Sequence, residues 1–297
     1  MTDPHLHRVI GERRQLLQLA YRLLGSLAEA EDVVQETYTR WYALSERQRR
    51  EVVVPGAWLT TVAGRICLDL LGSARARREH YVGEWIPEPV PGRSDWFGGP
   101  TPVDPADRVT LDESIGMAFL VVLDSMTPAE RVAFVLHDVF RYSFAEIAEV
   151  VGRTPAACRQ LASSARRRID TSRQPSGDER AEVVRRFKHA WENRDIGALI
   201  GVLDPQATAT ADSGGLAPAF RDPIIGGERI ARTWMEIATR GPAVAVLERT
   251  VNGQPGLVAE LDGTVVSVYA FDIADGRIAR IWAIRNPEKL RSWTATA

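Results

Sequence analysis

One run of side chains in this sequence carries donors and almost no acids. Arg159, Gln160, Ser163, Arg166 and Arg167, with Arg153 just before them, fall one, three or four residues apart, so on a helix they share one face. An arginine fork matches guanine O6 and N7, and a glutamine amide can pair with adenine, so such a face has the chemistry of a major-groove reader. A merely solvated face mixes its signs more evenly. Nearer the N-terminus Asp32, Gln35, Glu36 and Arg40 lie opposite Val33, Thr37 and Trp41, offering carboxylates and an amide to a basic or mixed protein surface. Arg65, Arg75, Arg77 and Arg78 form a second basic island, opposed within it by Asp69 alone, and can steer phosphates. Asp212, followed by Gly214 and Gly215, is a carboxylate in a tight turn. With Tyr269 and Trp282 it could line a pocket and act as a general base, but His189 is the only histidine in its part of the chain, and no catalytic residue is assigned.

These residues need elements to hold them. Phe144 to Arg168 fits a helix-turn-helix: Ile147, Ala148 and Val151 form the inner face of the first helix, and Gly152 supplies the left-handed turn. Thr154 caps the next helix and Pro155 opens it. Cys158, Leu161, Ala162, Ala165 and Ile169 then face inward. Thr127 to Leu136 is a capped helix before it. Upstream, Leu16–Leu24, Val33–Trp41 and Leu59–Leu70 repeat apolar residues at three and four, as amphipathic helices do. An amphipathic helix from about Glu179 to Leu203 opens the last part. There Asn252-Gly253, Asp262-Gly263 and Asp275-Gly276 punctuate runs rich in Val, Ile, Tyr and Trp, which predicts three hairpins and a four-stranded antiparallel meander. Between the helical parts, residues 84–107 hold six prolines and three glycines, which exclude a continuous helix. Trp85, Trp96 and Phe97 in that linker imply that it docks on something.

At 297 residues the chain exceeds one small module, and its net charge of -2 argues against a protein that coats nucleic acid, except that two basic islands are averaged away in that sum. With 45% hydrophobic and 26% charged residues it is globular. No apolar run reaches the roughly 20 residues of a membrane span, and the N-terminus lacks the pattern of a signal peptide, so a cytoplasmic protein without membrane contact is expected. Cys67 and Cys158 are far apart on predicted helices and read as buried thiols, neither a disulfide nor a metal site.

Ala30-Glu31-Asp32-Val33-Val34-Gln35-Glu36-Thr37-Tyr38-Thr39-Arg40-Trp41 resembles the core-polymerase-binding segment of extracytoplasmic-function (ECF) sigma factors, and Thr127 to Ile169 resembles their promoter-binding C-terminal module. The resemblance implies a multidomain chain: sigma region 2 over residues 5–83, the linker over 84–107 and a region 4 helix-turn-helix over 108–172. Two all-α modules are then followed, over 178–297, by an α+β SnoaL-like (nuclear transport factor 2-like) cone. It further implies that Asp32, Gln35, Glu36 and Arg40 bind core RNA polymerase. Arg153, Arg159, Gln160, Ser163, Arg166 and Arg167 would read the minus-35 element of promoter DNA. Arg65, Arg75, Arg77 and Arg78 would contact the minus-10 element, with unstacked bases on Trp58 or Tyr81, although Trp58 at helical spacing with Val62 reads first as a core residue. Family members often carry Gly where Arg141 stands and Arg where Ser164 stands.

Three segments resemble signatures of a subgroup whose extension regulates activity intramolecularly: Trp85-Ile86-Pro87-Glu88-Pro89, Asp212-Ser213-Gly214-Gly215 and Asn286-Pro287-Glu288-Lys289-Leu290. Trp85, Pro87, Asp212, Gly214, Gly215, Asn286, Pro287 and Lys289 are therefore the expected regulatory residues. They would act through contacts of the cone with the linker and the sigma modules, the tail from Lys289 to Trp293 touching the latter. No cofactor and no metal are implied. An unknown small ligand in the cone, a DNA-binding regulator that never joins polymerase and a small-molecule enzyme remain as alternatives.

Overall fold

The computed structural model describes residues 11–78, 81–92, 116–169 and 176–294, with the side chains of residues 74–78 excepted. The chain divides into two compact units, one holding the helices up to Arg78 with the segment from Phe119 to Ile169, the other holding residues 81–92 with the chain from Ser176 on.

The first unit is helical. Helices α1 (Arg13–Leu24), α2 (Leu27–Ala43), α3 (Glu46–Glu51) and α4 (Pro55–Arg78) are followed by α5 (Met117–Asp124), α6 (Pro128–Phe134), α7 (Phe144–Val151) and α8 (Pro155–Arg166). Their ends follow local chemistry. Gly25 closes α1 at φ 72°, and Ser26 caps α2. Thr127 with Glu130, and Ser143 with Glu146, form reciprocal capping boxes on α6 and α7. Gly152 turns left-handed at φ 69° and Thr154 accepts the Ala157 N–H, as the sequence predicts for a helix-turn-helix. On α7 the buried residues are Ile147 and Val150, whereas Ala148 and Val151 are only half-buried, because the face of α7 turned inward meets α4. There a Cβ on Gly64 would stand 2.7 Å from Cγ1 of Val150. Tyr142 ties the same elements, its hydroxyl lying 2.8 Å from Thr60 Oγ1 and accepting from Gln15 Nε2 at 3.3 Å. Arg131, almost fully buried, donates to the Leu23 carbonyl and to Asp124. Cys67 and Cys158 are buried free thiols.

The second unit is α+β. The single helix expected to Leu203 is two, α9 (Gly177–Glu192) and α10 (Ile196–Val202), because Arg194 takes φ 54° and Asp195 caps a new start. Strands β1 (Leu203–Asp212) and β2 (Ile224–Ile225), then helix α11 (Gly227–Arg240), precede the meander β3 (Ala245–Val251), β4 (Gln254–Leu261), β5 (Thr264–Ala274) and β6 (Arg277–Ile284); α12 (Arg291–Thr294) ends the described chain. The sheet order is β2-β1-β6-β5-β4-β3, with β1 parallel to β6 and every other pair antiparallel. The three hairpins form where expected: Asn252, Asp262 and Asp275 adopt φ near 50°, and the glycines after them are also left-handed.

Strand alternation gives this sheet two buried faces. Ala207, Ala209, Ala211, Leu257, Ala259, Tyr269, Phe271, Ile281 and Ala283 face an inner core completed by Phe187, Trp191, Leu199, Ile230 and Trp234 from the helices. Their strand neighbours Asp212, Val258, Val268, Ala270, Trp282 and Ile284 point to the other face and are buried as well.

Candidate functional site

The cover on that outer face is the linker, and Asp212 is the group that captures it. The register pairs Asp212 with Ile284 and Ala211 with Ala283, so Asp212 and Trp282 lie on the face opposite Tyr269. The pocket drawn from Asp212, Tyr269 and Trp282 is therefore not formed, because a period of two separates odd from even residues. Asp212 has no exposed surface and its carboxylate is filled by the chain itself. Oδ1 accepts the Tyr81 hydroxyl at 2.6 Å and the Gly214 N–H at 3.1 Å; Oδ2 accepts the Ile86 N–H at 2.9 Å and Lys289 Nζ at 2.6 Å. Four donors around one buried carboxylate occupy its lone-pair positions and leave none directed at a substrate.

Around this centre the three signature segments converge. Asn286 donates from its N–H to the Asp212 carbonyl and from Nδ2 to the Tyr81 hydroxyl at 2.9 Å. Gly214 and Gly215 take φ 58° and 75°. Any Cβ on Gly214 would stand 2.5 Å from Asn286 Nδ2, and one on Gly215 3.1 Å from Val82, so the turn must be bare to admit the linker. Lys289 donates to the Ile86 carbonyl as well and lies over the Trp85 ring at 4.3 Å and the Tyr81 ring at 5.2 Å. Pro287 is exposed at the strand's end and makes none of these contacts. Burial, first, and then the hydrogen bond to the Asp212 carboxylate push the Tyr81 phenol far above the ordinary tyrosine range.

The linker's prolines have a geometric use. Ile86, Val90 and Gly92 donate their N–H groups to Asp212, Asn252 Oδ1 and the Thr250 carbonyl, while Pro87, Pro89 and Pro91 occupy the alternate positions where no donor is needed. Asn252 returns its own N–H to the Val90 carbonyl at 2.8 Å, and Trp293 donates to the Pro89 carbonyl at 2.9 Å. The tail from Lys289 to Trp293, expected against the helical modules, thus directs these bonds to the linker. Trp96 and Phe97 lie outside the described residues. Sequence reasoning missed Tyr81 and Asn252 here, having read the first as a base-stacking residue and the second as a hairpin residue only.

On the helical unit Asp32, Gln35, Glu36 and Arg40 are exposed along α2, with Arg40 paired to Glu36 at 2.9 Å. On α8 the donors divide. Arg153, Gln160, Ser163 and Arg167 are exposed, and their side chains make no hydrogen bond or ion pair among the described residues. Arg166 instead grips Asp138 through two bonds of 2.6 and 3.1 Å, and Arg159 lies over Phe144. Ser164 donates to Glu130 at 2.8 Å, so it braces the α6 capping box. Arg65 donates from Nε and from its terminal nitrogen to the Glu149 carbonyl of α7. Trp58 packs edge-on to Trp41 at 5.2 Å, as a core residue does. The side chains of Arg75, Arg77 and Arg78 lie outside those described. No described helix is long and apolar enough to cross a membrane.

Comparison with known proteins gives the family of the chain. Residues 10–77 match the Sigma-70 region 2 family and residues 116–169 match Sigma-70, region 4. The ECF RNA polymerase sigma factor SigJ of Mycobacterium tuberculosis is 39% identical, over 93% of this chain and 90% of its own. This chain is an ECF sigma factor. The probable ECF RNA polymerase sigma factor SigI of the same organism is 36% identical, over 94% of this chain and 92% of its own. The crystal structure of SigJ superposes with a TM-score of 0.72 at 34% identity, covering 97% of this chain and 98% of that one. As a sigma factor the chain directs core RNA polymerase to promoters, and after the two helical modules it carries an α+β unit. Arg141 of this sigma factor holds a left-handed backbone, φ 63°, a conformation that glycine adopts without steric cost.

Proposed function

We propose that the C-terminal unit regulates this sigma factor by holding its interdomain linker. The observation that carries the reading is the filled Asp212 carboxylate, which binds Tyr81 and Ile86 of the linker together with Lys289 of the tail. Docking residues 81–92 withdraws them from the tether between α4 and α5. The state of the helical unit supports the same idea. Minus-10 and minus-35 elements lie about 25 base pairs apart, roughly 85 Å at 3.4 Å per base pair. Helices that touch where Val150 packs on Gly64 cannot span that distance, so promoter engagement requires them to part. Arg65 then leaves the Glu149 carbonyl for a minus-10 phosphate. Arg75, Arg77 and Arg78 extend that basic surface, Arg153, Arg159, Gln160, Ser163, Arg166 and Arg167 read the minus-35 element, and the α2 face around Asp32 and Glu36 meets core polymerase. The protein works in the cytoplasm, where polymerase is, and not as an enzyme, since its buried acid is committed to the linker.

Run-off transcription with reconstituted holoenzyme tests the regulatory role. Asp212→Ala is expected to change promoter output several-fold while core polymerase affinity, measured separately, stays within twofold of the parent. Unchanged output with the linker shown to be released would refute it.

A further inference from the structure

The turn that leads into α7 holds two rings that neither the linker contacts nor the capping boxes use. Val135–Val139 is a π-helical turn, closed by the Phe140 N–H on the Val135 carbonyl at 3.1 Å, and single turns of this kind gather at functional sites. From it His137 reaches Phe144, the first residue of α7. The ring centroids are 4.0 Å apart and the planes 26° from parallel. The imidazole is fixed in that place: its Nδ1 lies 2.9 Å from the Tyr142 carbonyl, which can only accept, so Nδ1 carries the proton. The guanidinium of Arg159, on α8, lies over the same Phe144 ring at 5.2 Å from its centroid. With the imidazole stacked against one face of the ring, the guanidinium takes the other. His137 and Phe144 are half-buried, whereas Arg159 is exposed.

Two arginines of the outer face of α8 are thus held in different ways. Arg166 is held through its donors, which Asp138 engages. Arg159 is held by its flat face, and its guanidinium nitrogens make no hydrogen bond or ion pair among the described residues. Stacking leaves the in-plane N–H fork open, and an in-plane fork is what guanine O6 and N7 accept. Arg159 is also the fifth residue of α8, in the N-terminal half from which a recognition helix reaches base edges. We propose, resting on the assignment of α8 to the minus-35 element, that His137 and Phe144 form a stacking platform that aims Arg159 at one guanine of that element. Arg159 is then a specificity-determining residue, and Phe144 and His137 are positioning residues. A long side chain loses rotamer freedom when it binds; a stacked one has lost part of it beforehand, which strengthens the contact that fits its fixed direction.

Sequencing of the promoters that reconstituted holoenzyme retains from a pool randomised in the minus-35 element tests this. The parent is expected to prefer guanine at one position where Arg159→Lys, which keeps the charge and loses the fork, lowers the preference about tenfold. Phe144→Leu keeps an apolar residue at the start of α7 and removes the ring. It is expected to lower the preference at that same position about threefold, as an exposed cation–π contact is worth, with the other positions and the salt dependence of binding unchanged. Phe144→Tyr keeps the ring and is expected to keep the preference. His137→Leu frees the far face of the ring; it is expected to act in the same direction at the same position, and it decides the matter if Phe144→Leu does not fold. A parent without guanine preference, or an Arg159→Lys variant altered at no position, overturns the proposal together with the assignment of Arg159 to the minus-35 element. A position lost in Arg159→Lys but kept in Phe144→Leu and His137→Leu leaves that assignment standing and overturns the platform. Loss spread evenly over all positions in Phe144→Leu means that the ring only holds the helix-turn-helix together, and likewise overturns it.

Discussion

Tyr81 shows how one hydroxyl can make linker docking depend on pH. It donates to Asp212 and accepts from Asn286, and its phenol titrates well above the ordinary range near 10. A group whose folded pKa is raised stabilises the folded state fully below its unfolded pKa and loses that contribution as pH climbs toward the folded value. Docking should therefore hold through neutral pH and weaken progressively above about pH 10. Tyr81→Phe removes the titrating proton together with a hydrogen bond to a carboxylate, which contributes about 1.5–3 kcal/mol in such settings, reduced here by partial exposure. Denaturation curves should show the variant less stable at neutral pH and the gap narrowing between about pH 10 and 11. A gap independent of pH would mean that the phenol has the same pKa in the folded and unfolded states, so that docking does not raise it. Nothing in the spacing around Tyr81 signals this role, because its partners are Asp212 and Asn286, far along the chain.

Elements built from local rules were readable before any coordinates. Gly152, Thr154 and Pro155 set the helix-turn-helix, and Asn252, Asp262 and Asp275 set the hairpins, each through a conformational preference of the residue itself. What was not readable depends on partners distant in sequence: strand β1 running parallel to β6, helix α11, and the linker laid on the outer face of the sheet. Arg141 lies between these cases. Its left-handed backbone follows the π-helical turn Val135–Val139, and an L residue there costs about 1–2 kcal/mol relative to glycine. Arg141→Gly surrenders the arginine's side-chain contacts but removes that strain. A net gain of about 1 kcal/mol is expected in chemical denaturation, with the helix-turn-helix unchanged by NMR chemical shifts. A loss of stability would show that the side chain outweighs the backbone.

For the whole molecule the weak net charge of -2 and the packing of α4 on α7 act together. The basic islands exist, but Arg65 spends its donors on Glu149 and Arg166 on Asp138, so the free protein offers DNA fewer cations than its sequence contains. Non-specific affinity follows the number of phosphates neutralised, each adding about 0.9 to the slope of log affinity against log salt. Gly64→Leu places a side chain where even a Cβ would overlap Val150, and overlap of this kind typically costs about 1–3 kcal/mol. Neither α4 nor α7 needs the contact for its own hydrogen bonds, so the two should separate before either unfolds. The variant is then expected to show a larger radius of gyration in solution scattering, undiminished helix content by circular dichroism, and several-fold tighter binding to promoter duplex. Its salt slope should be steeper by about one, the signature of Arg65 released to a phosphate. An expanded molecule that bound DNA no better would show that α4–α7 packing is structural alone and leaves the basic islands as available as before.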